Sequence, residues 1–222
     1  MKKKILFNLL FFVGVCSACF GQSKDFISVY HACQKAQSSM SDNEGSKNDI
    51  QEALRLLKEA EWSSLILQDD DVKGEADMKG HMVFSPSFFA ELNKGDRVYK
   101  KAREYAKEMV VSKRGGKVYL CTKCLGAGKK VTYKMNHTAK SLRVAAVPEV
   151  NGLINLSVVI QDSKGKKSMP YKITSQEFQG ASCRLLNPIK MPSGRCVVYI
   201  TIENKFHEPK SVAIIVEAGS IN

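Results

Sequence analysis

The sequence predicts an α+β protein in which a bundle of about four helices precedes an eight-stranded antiparallel β-sandwich of jelly-roll or immunoglobulin-like topology. Apolar residues recur at helical spacing up to about residue 115, and from Lys117 onward they alternate with polar residues in short runs. No helical segment separates the later runs, which favours an antiparallel sandwich over a parallel sheet. We therefore expect a helical domain over 22–115 and a β domain over 116–222.

The first residues predict a secretory signal peptide. Three lysines at 2–4 precede an apolar run over 5–15 and several small residues. Cleavage near Gly21 would remove a signal peptide over 1–21 and leave a secreted or periplasmic protein. The alternative is a lipoprotein acylated at Cys19. No later apolar run reaches the roughly 18 residues that a transmembrane helix requires.

Four helices are expected before residue 115. Apolar stripes over 24–40 and 49–61 predict two helices that pack as a hairpin, with Asn48 as the N-cap of the second. Ser-Pro at the start of 85–95 and the apolar face of 96–114 predict two more. Together they form the predicted helical domain.

An acidic segment lies between these two pairs of helices. Asp69, Asp70, Asp71, Glu75 and Asp77 place carboxylates close together, which is one requirement of a calcium site. The ligand order of an EF-hand loop, with its glycine and final glutamate, is absent. We therefore expect a solvated loop, which could also face the basic half of the chain.

Eight β-strands are expected after Gly116, because apolar and polar residues alternate in eight runs separated by Pro and Gly turn signals. The segment Leu125–Gly128 is predicted to be the loop of a hairpin between the first two. The runs cover residues 118–123, 131–135, 141–147, 153–161, 168–173, 181–186, 195–203 and 211–217.

The last two runs, Val197–Glu203 and Val212–Glu217, resemble the final strands of the pre-peptidase C-terminal type of secreted accessory domain. This resemblance implies a β-sandwich fold. It also implies a non-catalytic role in binding a surface or a polymer.

The excess positive charge lies in the second half of the chain. Residues 22–115 carry 15 basic and 16 acidic side chains, whereas residues 116–222 carry 16 basic and 6 acidic ones, a net charge of +10. Such asymmetry is typical of proteins with an anionic partner. The alternative is a lysine-rich strand surface that serves only solvation.

The stretch 117–134 is the predicted binding site, because it combines five lysines with two tyrosines. Amines beside aromatic rings suit an anionic glycan or the phosphates of lipopolysaccharide; a nucleic acid is disfavoured. The alternative is that lysines protect sheet edges from pairing, as at a second lysine-rich turn, 164–167. The predicted binding residues are Lys117, Tyr119, Lys123, Lys129, Lys130, Tyr133 and Lys134.

Cys121 and Cys124 begin a CxxCxGxG pattern that ends at Gly128 and resembles the zinc motif of DnaJ-type co-chaperones. That family supplies four zinc ligands from two such motifs, and this chain has no second CxxC. We therefore expect no metal and no cofactor. The pair is predicted to form a local disulfide or two inert thiols.

Five cysteines remain after residue 21, and an odd number leaves at least one unpaired within the chain. Cys33 lies on the apolar stripe of the first helix and is predicted to be a buried small hydrophobic residue. Cys183 and Cys196 flank a predicted strand-turn-strand segment. We expect a disulfide between them if the two strands are antiparallel neighbours.

Catalytic patterns are sparse, which favours a non-catalytic protein. The four histidines show no metal-pair spacing, and the nucleophile elbow and the phosphate-binding loop are both absent. We expect a binding or structural protein of the bacterial envelope. One alternative is a hydrolase or redox enzyme with a site between the two domains near His81 or His137. Another is a subunit of a secreted complex that docks through its helical domain. Another envelope protein is the alternative partner to an anionic glycan or lipopolysaccharide.

Overall fold

The computed structural model describes residues 23–41, 46–64, 68–69, 117–148, 153–172, 176–178, 181–185 and 188–219. Within these ranges the chain forms two helices, α1 (Lys24–Ser41) and α2 (Ser46–Glu59), and twelve strands. The strands are β1 (Trp62–Ser64), β2 (Gln68–Asp69), β3 (Val118–Leu125), β4 (Lys130–His137), β5 (Ser141–Pro148), β6 (Ile154–Gln161), β7 (Tyr171–Lys172), β8 (Gln176–Phe178), β9 (Ala181–Leu185), β10 (Ile189–Lys190), β11 (Cys196–Asn204) and β12 (Lys210–Gly219).

The strands form two sheets. The larger, seven-stranded sheet has the order β1-β3-β12-β5-β9-β8, with β10 also paired to β5. The smaller, five-stranded sheet has the order β2-β4-β11-β6-β7. Every pairing is antiparallel except that of β1 with β3. Strands β12 and β11 are thus central in the larger and the smaller sheet respectively.

Alternate residues of the smaller sheet face the larger sheet and form the sandwich core. In β11 the buried positions are every second residue from Cys196 to Asn204, and β6 alternates in the same way. These side chains pack against Val144, Ala146 and Ile214 of the larger sheet. The period of two places the remaining residues of both strands on the opposite face.

The larger sheet is covered on both faces. Seven consecutive residues of β5 are buried, because one face of the strand meets the smaller sheet and the other meets the helices. Phe26 and Val29 of α1 share a second core with Ala145 and Ile215 of the sheet. A nearly continuous apolar run, interrupted in β5 only by Arg143, is the pattern expected of a strand that is buried on both faces.

The helical hairpin predicted near the start of the chain is present. The side-chain hydroxyl of Ser23 accepts a hydrogen bond from the Phe26 N–H and caps α1. Helix α2 begins at Ser46, so Asn48 is not its N-cap. The indole of Trp62 donates to the Leu57 carbonyl at the end of α2, and Trp62 opens strand β1.

The predicted N-terminal four-helix bundle is wrong. The described part of the chain contains two helices, and their apolar faces pack on the larger sheet. Strands β1 and β2, which precede residue 116, also join the two sheets. The third and fourth predicted helices, over 85–95 and 96–114, lie outside the described residues, as do the predicted signal peptide and most of the acidic segment.

The predicted β-sandwich is confirmed, but the predicted number of eight strands is wrong, because the described residues form twelve. Each of the eight predicted strands overlaps one of the twelve. The hairpin predicted over 117–134 is wrong, however. Strand β3 lies in the larger sheet and β4 lies in the smaller one, so the turn between them crosses from sheet to sheet. Gly128 has φ +63°, a left-handed conformation that glycine adopts without strain.

Asn204 holds the loops at this end of the sandwich together. Its fully buried amide donates to the carbonyls of Leu125, Gly126 and Glu208, at 3.2, 3.1 and 2.8 Å. Its side-chain carbonyl accepts the Phe206 N–H at 2.9 Å. One residue therefore fixes both the crossing turn and the connection from β11 to β12.

A buried ion pair lies on the helix-facing side of the larger sheet. Arg143 and Glu217 are directly opposite in β5 and β12, and a guanidinium nitrogen lies 2.5 Å from a carboxylate oxygen. The two side chains are only 8% and 6% exposed.

In the part of the chain that the structure describes, neither helix has the length and apolarity needed to cross a membrane.

Candidate binding face

The smaller sheet has one solvent-exposed side, which we call the outer face. It is formed by every second residue of three neighbouring strands together with residues of the edge strand. Strand β4 contributes Lys130, Thr132, Lys134 and Asn136; β11 contributes Val197, Tyr199, Thr201 and Glu203; β6 contributes Asn155, Ser157, Val159 and Gln161; and β7 contributes Lys172.

Tyr199 lies near the centre of the outer face, between Lys134 of β4 and Val159 of β6 in the strand register. Its hydroxyl donates to the Gln161 side-chain carbonyl at 2.7 Å. The Lys167 amine lies 4.7 Å from the centroid of the tyrosine ring, within the range of a cation–π contact. The ring is therefore held in one orientation with an amine above it.

A row of hydroxyl groups crosses the sheet beside Tyr199. The hydroxyls of Thr132 and Thr201, on paired residues of β4 and β11, lie 2.9 Å apart. Ser157 continues the row on β6, and Lys172 ends it on β7. Hydroxyls that both donate and accept suit a ligand with hydroxyls of its own.

Glu203 is the single carboxylate among the described strand residues of the outer face, and its charge is already satisfied. One oxygen lies 2.6 Å from the Lys205 amine, and the other accepts from the Asn155 amide at 3.0 Å. The hydrogen bond from Lys205, followed by that from Asn155, lowers the pKa of the Glu203 carboxyl. The lysines nearer Tyr199 are therefore left without a carboxylate on this face.

The structure separates the seven predicted binding residues. Lys130 and Lys134 lie together on the outer face, and Lys129 is exposed in the turn before them. Lys117 is exposed beside the larger sheet, and Tyr119 is partly buried against the sandwich core.

The two remaining predicted residues face the space between the sheets. Tyr133 is fully buried in the sandwich core. The Lys123 amine lies 5.3 Å from the centroid of the Tyr133 ring. Because Tyr133 is buried, its ring is inaccessible to a ligand, and Lys123 is only partly exposed.

Sequence reasoning missed the part of the outer face that β11 contributes. Tyr199 and Thr201 alternate with buried Val198, Ile200 and Ile202. That alternation is visible in the sequence and assigns both residues to one half-exposed face. Lys167 was noted only as part of a lysine-rich turn, and its contact with Tyr199 had no local sequence signal.

The cysteines show no disulfide at the predicted positions. Cys196 is a buried free thiol, directed at the carbonyls of Pro192 and Gly194, and burial raises its pKa. Strand β9, which carries Cys183, pairs in the larger sheet, and β11, which carries Cys196, pairs in the smaller one. The antiparallel pairing on which the predicted Cys183–Cys196 disulfide rested is therefore absent.

The CxxC pair lies within a single strand. Cys121 and Cys124 both belong to β3, where Cα atoms three residues apart are separated by about 10 Å. A disulfide spans Cα atoms less than about 7 Å apart. A regular strand therefore does not accommodate the predicted local bridge.

Cys33 is buried between the helices and the larger sheet, as predicted. Cys19 lies outside the described residues.

His137 is a buried structural residue. Its side-chain Nε2 hydrogen-bonds the Ser141 carbonyl at 3.1 Å, and burial lowers its pKa. Among the residues that the structure describes, no three histidine, cysteine or acidic side chains converge as metal ligands. His81, the other histidine considered for a catalytic site, lies outside these residues.

Comparison with known proteins finds no matching family model and no matching curated protein. Thirteen chains of solved structures match, of which three examples align with 44–47% of this chain. They are the Yersinia pseudotuberculosis-derived mitogen (11% identity, TM-score 0.32, 47% of this chain and 88% of that one), TmCBM61 in complex with β-1,4-galactotriose (10%, 0.29, 46% and 82%) and Xyl-CBM35 in complex with a glucuronic acid containing disaccharide (16%, 0.23, 44% and 75%). TM-scores this low carry no argument about the ligand of this chain.

Proposed function

We propose that this is a non-catalytic binding protein of the bacterial envelope, and that its outer face binds an anionic polysaccharide. The observation that carries the proposal is the presence of Lys130, Lys134 and Lys172 on the outer face, with Lys167 against the Tyr199 ring and one satisfied carboxylate on the strands of that face. Export through the predicted signal peptide and cleavage near Gly21, or lipidation at Cys19, are parts of the same proposal.

The charge arrangement favours a ligand with repeated acidic groups. Lys130 and Lys134 are four residues apart on one strand, so their Cα atoms are separated by about 13 Å. Charges spread along an open sheet meet successive groups of a polymer better than they enclose one small anion. The burial of Tyr133 removes the aromatic stacking that the sequence suggested for the turn before β4.

The uncharged groups favour a sugar over a bare polyanion. Thr132, Thr201 and Gln161 offer hydroxyl and amide groups that match sugar hydroxyls. Lys167 above Tyr199 places an amine at the centre of the face, where a sugar carboxylate or sulfate would meet it. The resemblance to the pre-peptidase C-terminal type of domain, which implies polymer binding, belongs to this proposal as well.

The test is binding of the mature chain to polygalacturonate, a sulfated glycan, neutral cellulose fragments and single-stranded DNA across a salt series. We expect the acidic glycans to bind and the affinity to fall as salt rises, because exposed charges are screened. Absence of binding at low salt would overturn the proposal. Equal affinity for DNA and the acidic glycans would also overturn it, since charge alone would then explain the result.

The decisive variant is Lys130→Ser/Lys134→Ser, and its matched control is Lys24→Ser/Lys140→Ser. All four lysines belong to the described surface, and both variants lower the net charge equally. We expect about a tenfold loss of affinity in the first, since each exposed ion pair contributes up to about 1 kcal/mol. The control should bind like the wild type; equal losses in the two variants would contradict a site on the outer face.

A further inference from the structure

The connection between β6 and β7, residues 162–170, exposes apolar side chains among lysines. Met169 is 86% exposed, and Tyr171, at the start of β7, is 39% exposed. They are two of the three large apolar residues that are exposed in the described part of the chain. This segment, which we call the 162–172 hairpin, projects from the edge of the smaller sheet.

The tip of the 162–172 hairpin is held rigidly. One carboxylate oxygen of Asp162 accepts the N–H groups of Lys164 and Lys166, both at 2.9 Å. The Asp162 carbonyl accepts the Gly165 N–H, and Gly165 has φ +82°. Because the turn satisfies its own backbone groups, the two lysine side chains are free to point outward.

An extra residue displaces Met169 from the sheet. Gln161 pairs with Lys167, and Val158 pairs with Tyr171, so two residues of β6 face three residues of the hairpin. Ser168 remains bonded to Ile160, donating its N–H at 2.7 Å and accepting at its hydroxyl at 3.0 Å. The extra residue of the hairpin therefore lies within Met169 and Pro170, which have no partner residues in β6, as in a β-bulge.

Edge protection explains the proline and the lysines of the hairpin. Pro170 has no N–H to offer a further strand, and charged residues discourage edge pairing. It does not explain an almost fully exposed methionine. A bulge that only protected an edge would place a polar side chain at that position, where burial contributes nothing.

The charges around the apolar tip are positive. Lys164 and Lys166 are exposed, and neither forms an ion pair with another described residue. The Asp162 carboxylate is occupied by backbone N–H groups. A second copy of this chain would present the same lysines, so like charges oppose self-association through this tip.

We propose that the 162–172 hairpin docks on a membrane surface that contains anionic lipids. Met169 and Tyr171 enter the headgroup region, where apolar and amphipathic side chains are favoured. Lys164 and Lys166, at the turn of the hairpin, contact the lipid phosphates. This inference is independent of polysaccharide binding at the outer face, because it depends on residues that the Lys130 and Lys134 variants leave unchanged.

The test is co-flotation of the mature chain with vesicles of phosphatidylcholine alone or mixed with phosphatidylglycerol. We expect binding to the mixed vesicles only. Lys164→Ser/Lys166→Ser should weaken it about 25-fold, since each lysine near an anionic surface contributes about fivefold. Met169→Ser should weaken it roughly tenfold, because a side chain of this size gains from leaving water.

The matched control is Lys130→Ser/Lys134→Ser, which should retain most of the vesicle binding while losing polysaccharide binding. Failure of the wild type to bind mixed vesicles at low salt would overturn the proposal. Unchanged binding by Met169→Ser would overturn it too, since net charge alone would then account for the affinity. A loss of self-association in Met169→Ser, without vesicle binding by the wild type, would assign the tip to a protein contact and equally refute membrane docking.

Discussion

The two sheets differ in how many of their faces are buried. The larger sheet lies between the helices and the smaller sheet, and β5 is buried along almost its whole length. The smaller sheet buries one face only, so β6 and β11 alternate strictly between buried and accessible residues. The larger sheet therefore has the packing requirements of a core layer, whereas the outer face of the smaller sheet is free to carry a binding site.

This difference separates stability from recognition. Substitutions on the helix-facing side of the larger sheet should lower the free energy of unfolding by several kcal/mol when they empty the core or leave a charge unpaired. Substitutions on the outer face should change binding and alter the free energy of unfolding by about 1 kcal/mol or less. The difference can be tested at three pairs of residues, each with one buried and one exposed member, and at the buried His137, from the largest expected effect to the smallest.

The buried ion pair should show the largest contrast. Glu217→Ala leaves Arg143 charged and buried without its partner, and we expect a loss of about 3–5 kcal/mol in the free energy of unfolding. Glu203→Ala removes an open carboxylate and should cost less than about 1 kcal/mol. Urea denaturation of both variants measures the difference.

An apolar replacement of both partners sharpens this result. Arg143→Met/Glu217→Leu should recover most of the lost stability, because it removes both buried charges. If the double variant were as unstable as Glu217→Ala, the cost would arise from packing rather than from the unpaired charge.

The second prediction compares two aromatic residues. Phe26→Ala empties a fully buried position between α1 and the larger sheet and should cost about 3 kcal/mol. Tyr199→Ala removes a ring from the outer face, and we expect a cost of about 1 kcal/mol or less. Equal losses in thermal unfolding would show that the helices are not an integral layer of the fold.

The third prediction compares two asparagine side chains. Asn204→Ala leaves buried carbonyls of two loops without a donor and should cost about 2 kcal/mol. Asn155→Ala removes an exposed amide and should change stability by less than about 0.5 kcal/mol. Hydrogen exchange should also become faster at Gly128 and Phe206 in the first variant alone.

The fourth prediction concerns pH. His137 is buried and its pKa lies below the ordinary value, so the unfolded chain binds the proton more tightly than the folded one. Its contribution to stability is therefore complete above about pH 6.5 and is lost as the pH falls towards the folded pKa, by at most about 1.4 kcal/mol per pH unit. In His137→Gln the slope of stability between pH 7 and pH 5 should be smaller than in the wild type. Identical slopes would contradict this assignment.

The sequence predicted local structure well and layer assignment poorly. A period of two identified all seven described strands of five or more residues and the two-residue β7, since alternation is a property of consecutive residues. It did not identify the short strands β1, β2, β8 and β10. It does not state which sheet a strand joins, so the turn after Leu125 was predicted to close a hairpin although β3 and β4 lie in different sheets. The apolar stripes of α1 and α2 likewise gave no indication that their partner is a sheet.

The candidate site was predictable only in part. Lys130 and Lys134 follow from their positions in an alternating strand, whereas burial of Tyr133 follows from the same alternation and was overlooked. The contacts of Lys167 with Tyr199 and of Asn204 with three carbonyls join residues 32 and up to 79 positions apart. Contacts of that range have no signature in a local pattern. A single charge within each of two apolar strands, at Arg143 and Glu217, did offer a usable signal for a buried pair.

The central positions of β11 and β12 have a consequence for how the chain acquires its structure. Strand β11 lies between β4 and β6, and strand β12 lies between β3 and β5. All four neighbours precede β11 and β12 in the chain. Until residues 196–219 have been synthesised, both sheets consist of separated halves with unpaired edges. Complete pairing is therefore a late event in the making of the chain, after β11 for the smaller sheet and after β12 for the larger one.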